Sequence, residues 1–166
     1  MCLDLPISCR CREEARSSFP PGDRPRSSSY GIASALELKE KAAVMEGVSG
    51  VGRTTAAILL VAVPELGRLS RGAAAALVGV APMNNESGTW TGKRLTQGGR
   101  VLARRALYMA ALAAIRHNAH IKAFYARLRA CGKPGKVALI ACMRKLLIYL
   151  NNLMRQHVAA SMAAAA

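Results

Sequence analysis

After Glu86 the sequence contains no aspartate or glutamate. Residues 87–166 carry 14 lysines and arginines and no acid, whereas residues 1–86 carry 10 basic residues against 9 acidic ones. A folded surface bearing cations alone repels itself unless a polyanion neutralises it, so a nucleic-acid backbone is the simplest partner. Aromatics are also scarce, at 4 %, and the 52 % of hydrophobic residues are mostly Ala, Leu and Val, a mix that favours packed helices over sheet. Long apolar runs are missing: AAILLVAV at 56–63 and ALYMAALAAI at 106–115 fall short of the ~18 residues that cross a bilayer, so no transmembrane helix is expected. The five cysteines form no regular framework and nothing reads as a cleavable signal, which fits a reducing cytoplasm. His117, His120, Cys131 and Cys142 lack the close paired spacing of a zinc site, and no metal or cofactor is expected in this chain. No Walker-type loop occurs, and GVSGVG lacks the preceding strand of a dinucleotide fold.

Along the chain, residues 1–31 are rich in Ser, Pro, Gly and Arg and are expected to be disordered. Residues 32–155 form the expected all-α domain, and 156–166 read as a low-complexity tail. A first helix begins near Ala33 and ends at Gly47; a second starts at Arg53 and stops at Pro64. Between them, Gly50, Val51 and Gly52 lead into Arg53 and Thr54. That pattern, within residues 33–63, resembles a helix-hairpin-helix element, in which glycines let backbone N–H groups approach a phosphate at the positive end of the second helix. A plain helical hairpin with glycine caps is the alternative. Ser70 is placed as the N-cap of a short helix ending near Gly79. The basic helices of a small bundle then occupy 100–155, with Pro134 in the first turn of the last. On a helical wheel, Arg104, Arg105, Tyr108 and Arg116 share about a third of the circumference, opposite Ala103, Ala106, Leu107 and Ala110.

One inserted stretch, NNESGTWTGKRLTQGG at 84–99, resembles neither flanking segment. Its four glycines let backbone donors come close to a phosphate, while Lys93, Arg94, Arg100, Arg104 and Arg105 supply charge. Ser87 sits in its middle. A serine hydroxyl can attack a DNA phosphodiester, and the charge developing on the phosphorus oxygens calls for arginines more than for a histidine base. The residues alone leave two readings of Ser87: a nucleophile, or part of an ordinary Ser-Gly turn with Trp90 as a packing plug.

From Val48 to Leu153, including PELGRLSRGAAAALVGVAPMNNESGTWTGKRLTQGGRVLARRALYMAALAAIRHN and AFYARLRACGKPGKVALIACMRKLL, the chain resembles the C-terminal domain of bacterial insertion-sequence transposases of the 116/110/902 family. The resemblance implies a DNA recombinase guided by a structured RNA, cytoplasmic and nucleoid-associated. Its full form joins this helical domain to an N-terminal RuvC-like domain that holds a divalent metal on four acidic residues. It places the nucleophilic serine at Ser87, with Arg104, Arg105 and Tyr108 as neighbouring phosphate contacts, and it implies a homo-oligomer or a full-length transposase as the working assembly. Residues 1–31 do not look like a RuvC-like domain, so a truncated copy is expected. Two further readings stay open at this level: a helix-hairpin-helix-type nucleic-acid-binding module without chemistry, and a helical protein lying on anionic membranes, against which the few aromatics and the Gly-rich loop argue.

Overall fold

The computed structural model of the chain describes residues 29–92 and 94–164. Residues 1–28 of the expected disordered stretch lie outside the described part, but Ser29, Tyr30 and Gly31 open a helix four residues ahead of the expected start. The elements are α1 (Ser29–Glu46), α2 (Arg53–Ala62), α3 (Arg71–Val78), β1 (Glu86–Ser87), β2 (Trp90–Thr91), α4 (Val101–His117), α5 (Ala119–Ala130) and α6 (Gly135–Ala164). The fold is all-α, with one small departure: the glycine-rich insertion closes on itself as an antiparallel hairpin pairing Glu86 with Thr91 and Ser87 with Trp90.

Local chemistry explains most boundaries. Ser70 accepts a hydrogen bond from the Ala73 N–H and caps α3, whose far end turns through Gly79 in the left-handed region at φ 76°. Asn118 ends α4 and at the same time caps α5, accepting from His120 and Ile121 N–H. Pro134 sits just ahead of α6, where its missing N–H costs nothing. α6 does not stop at Gln156. It runs on through HVAASMAA to Ala164, because alanine and methionine are strong helix formers and nothing in that stretch breaks the ladder. The low-complexity tail is thus helical as far as Ala164.

The core gathers Leu59 of α2, Leu107 of α4, and Met143, Leu146, Leu147 and Leu150 of α6, all essentially without exposure. α4 presents Ala103, Ala106, Leu107, Ala110, Ala111 and Ala114 as its buried face, the packing side expected from the wheel. These small side chains let neighbours come close. Gly50, at φ 103°, lies so near Ala114 that a Cβ there would stand 2.6 Å from the Ala114 Cα. At the other end Arg100, just before α4, reaches the Ala62 carbonyl that closes α2. α2 and α4 are therefore antiparallel.

α6 is also latched to the turn between α2 and α3. Asn151, fully buried, accepts from the Gly67 N–H at 2.8 Å and donates to the Leu69 carbonyl at 2.9 Å, and Arg155 donates to both the Gly67 and the Leu69 carbonyls. By length and composition α6 is long and apolar enough to cross a bilayer, although Lys136, Arg144 and Lys145 interrupt its apolar runs. Half of its most apolar window is buried within the fold, as in any core helix.

Candidate nucleic-acid interface

The insertion is anchored at its base and open at its tip. Met83 and Leu95 exchange backbone hydrogen bonds at 2.9 and 3.3 Å, closing the loop. At its C-terminal foot, Gly98 and Gly99 (φ 71° and 73°) press against Gly79, where a Cβ on Gly99 would stand 2.6 Å from the Val78 carbonyl carbon. The Arg100 N–H then donates to the Leu77 carbonyl, and α4 begins. Gly98 and Gly99, expected to bring donors to a phosphate, instead seat the loop on the end of α3.

Above this seat lies a groove between the insertion, α4 and the first half of α6. One part, of about 520 Å³, is lined by Arg104, Arg105, Tyr108, Thr96 and Lys136 over a floor that includes Val80, Ile140 and Met143. It continues past Val80, Thr96 and Ile140 into a part of about 310 Å³ where Arg94 and Arg144 face Leu95 and Val137. Among the described residues, five cations and no acid line it. Low-polarity walls beside like-signed charges focus the field on whatever anion enters. Arg104 is partly held, its Nη1 lying 3.4 Å from the Gly79 carbonyl, whereas Arg105 and Tyr108 are exposed.

The remaining expected residues fall elsewhere. Arg100 forms a two-bonded pair with Glu65 and is engaged by the fold. The hydrogen bonds from Arg100 hold the Glu65 carboxyl down at about 2, and the same bonds raise the Arg100 guanidinium. Arg116 lies near the C-terminal end of α4 beside Leu112, Tyr125 and Gly135. Gly50 packs on Ala114 and Val51 is buried, while Gly52, Arg53 and Thr54 are exposed at the start of α2, with open space around the Gly52 Cα. The α1–α2 turn thus meets α4 at Ala114, ten residues and roughly 15 Å along the helix axis from Arg104. The hairpin glycines and the arginine groove are separate places. Lys93 lies outside the described residues.

Ser87 is exposed on the hairpin, four residues beyond Met83, which is roughly 13 Å of extended chain, and it lines neither part of the groove. Among the described residues no group of three or more His, Cys, Asp or Glu converges to hold a metal ion. Lys136 and Arg144, outside the stretches first singled out as sites, complete the groove. Their spacing with Ile140, at i, i+4 and i+8, marks one stripe of a helix and was legible, but which neighbour that stripe would face was not.

An all-α fold with an acid-free groove beside a glycine-rich hairpin defines a candidate nucleic-acid-handling domain. The model of a family described as "Transposase IS116/IS110/IS902 family" matches residues 42–126. The chain is also similar, at 32 % identity over 126 residues, to a protein of Streptomyces coelicolor described as an insertion element IS110 uncharacterized 43.6 kDa protein. It belongs to the IS116/IS110/IS902 transposase family. The similar segment covers 75 % of this chain and 31 % of that relative, so the chain spans about a third of the curated relative's length.

Proposed function

We propose that this chain acts in DNA transposition as the serine-bearing, nucleic-acid-contacting domain of an insertion-sequence transposase. The observation that carries the reading is the groove: Arg94, Arg104, Arg105, Lys136 and Arg144 converge at the foot of the hairpin that bears Ser87, and among the described residues no acid lines it. Duplex DNA held by its phosphates fits such a groove without base recognition. The Ser87 Oγ attacks a phosphodiester phosphorus, a new P–O bond to serine forms, and the bond to one deoxyribose oxygen breaks. The serine proton is lost to solvent, and the departing oxygen leaves as a hydroxyl by taking a proton. Attack of a hydroxyl from a second strand on the phosphoserine reverses the chemistry and joins the new ends. Arginines neutralise the charge gathering on the phosphoryl oxygens. At the start of α2, the exposed first-turn N–H groups after Gly52 add a sequence-independent phosphate contact. The reading carries with it a cytoplasmic, nucleoid-associated location, and a homo-oligomer or full-length transposase, with its structured guide RNA, as the working assembly.

A second reading, a binding module without chemistry, is favoured by one observation: Ser87 stands on the open hairpin, away from the arginines. Incubation of the chain with duplexes carrying element-end junctions, with and without a full-length relative, separates the two. A denaturation-resistant protein–DNA adduct that disappears in Ser87→Ala is expected. An adduct that survives the substitution sinks the serine reading, and no adduct in either setting leaves the binding module.

A further inference from the structure

Near the far end of α4 from the arginine groove, a second concave surface forms where the α1–α2 turn, the start of α5 and the middle of α6 meet. Its main cavity, of about 430 Å³, is lined by Ser49, Asn118, His120, Lys145 and Tyr149 over Val48, Ile121 and Leu146. That volume lies within the range of small-ligand pockets. Lys145 also borders a neighbouring recess of about 230 Å³ with Phe124 and Arg127. The Phe124 ring holds both cations, with Lys145 Nζ 4.4 Å and Arg127 Cζ 5.3 Å from its centroid, which pre-positions two charges along one edge of the surface. Among the described residues, no acid lines either recess. Glu46, one residue before Gly47, is exposed outside the lining.

We propose that this surface binds an unpaired nucleic-acid strand, stacking a base on Tyr149 and holding its backbone with Lys145, Arg127 and His120. Tyr149, like Tyr108 in the arginine groove, is exposed, at 53 %. An exposed ring inside a cation-lined recess offers a π-face that duplex bases, already stacked on each other, cannot use, whereas a splayed single-stranded base can. The proposal shares with the groove reading only its polyanionic ligand class. Asn118 Nδ2 lies 3.5 Å from the Ser49 carbonyl, so the rim of the surface is tied to the end of α4, roughly 20 Å along the axis from Arg104. The two sites can be tested independently.

Fluorescence anisotropy of the whole chain with labelled oligothymidine and oligouridine of about 12 nucleotides, and with a mixed-sequence DNA duplex, reads both sites. Tyr149→Leu is expected to weaken single-strand binding roughly five-fold or more, with Tyr149→Phe restoring it and duplex affinity unchanged. Lys145→Gln weakens the single strand as well. The double substitution Arg104→Gln, Arg105→Gln weakens the duplex and leaves the single strand alone; a duplex indifferent to it strikes the groove reading and not this one. Helical circular dichroism of each variant confirms that the fold is kept. Single-strand binding untouched by both Tyr149→Leu and Lys145→Gln overturns the proposal, as does its loss in the Arg104/Arg105 variant to the same degree. A preference for uridine over thymidine, or the reverse, supports the surface and assigns the strand as RNA or DNA.

Discussion

Arg100 donates to both carboxylate oxygens of Glu65, at 2.7 and 2.8 Å, and its Nη1 also reaches the Ala62 carbonyl at 2.7 Å. One side chain thus ties the end of α2, the turn after it and the start of α4 together, and it fixes where the glycine-rich insertion enters the bundle. The planar fork of arginine matches a carboxylate in a way that a lysine cannot.

Arg100→Lys should therefore lower the thermal midpoint while leaving duplex affinity close to that of the parent chain, because the guanidinium serves the fold. Arg105→Gln should do the reverse, reducing affinity and flattening its salt dependence by about one phosphate contact. Parallel melting curves and salt-titrated anisotropy check the pair. A loss of affinity in Arg100→Lys as large as in Arg105→Gln would return Arg100 to the nucleic-acid surface.

The Glu65 carboxyl is held at about 2, below its ordinary 4.5, by the Arg100 hydrogen bonds. A depressed carboxyl contributes stability that is fully present above its unfolded value and lost as pH falls through the folded one. Acid unfolding followed by circular dichroism between pH 5 and pH 2 (roughly the window set by those values) should show a stability loss that Glu65→Gln diminishes. The side chains of Arg100 and Glu65 are 36 % and 42 % exposed, so added salt should shrink the effect.

Glycine substitutions should rank by space as well as by backbone. Gly79, Gly88 and Gly99 all have positive φ, and alanine there costs about 1–2 kcal/mol of conformational strain. Around Gly88 there is open space, whereas a Cβ on Gly99 or Gly79 meets the facing backbone. Urea unfolding should show Gly99→Ala and Gly79→Ala well below Gly88→Ala; equal losses at all three would mean that the seat of the insertion on α3 adds nothing to stability.

Asn151→Leu removes the amide that serves both the Gly67 N–H and the Leu69 carbonyl. Each backbone group left unpaired in the core costs about 1–3 kcal/mol. Because Arg155 still reaches the Leu69 carbonyl, the loss should fall nearer one such group than two. Chemical denaturation of Asn151→Leu and Asn151→Ala measures it, and a neutral Asn151→Leu would show the latch to be dispensable.

Much of the fold was legible because its signals are local. Ser70 capping α3, Gly79 ending it, Arg53 starting α2 and Pro134 preceding α6 each act through backbone groups within a few residues. The buried alanine face of α4 followed from spacing alone. The small hairpin at 86–91 escaped because two residue pairs carry too little periodicity to read, and the continuation of α6 to Ala164 escaped because an alanine-rich tail reads equally as low complexity and as helix.

The sequence by itself determined an all-α chain of the IS116/IS110/IS902 transposase family, cationic throughout its second half, with a glycine-rich interruption at 84–99. Only the tertiary structure decided how those cations are shared out. Packing sets Arg104 and Arg105 beside Lys136 and Arg144 across a groove, engages Arg100 with Glu65, and sends Lys145 and Arg127 to Phe124 at another face. The physical reason is range: caps and periodicity act over one or two helical turns, whereas the partner of a surface charge depends on how helices distant in sequence cross, and that is settled by burying Leu107, Met143 and Leu147 together in one core.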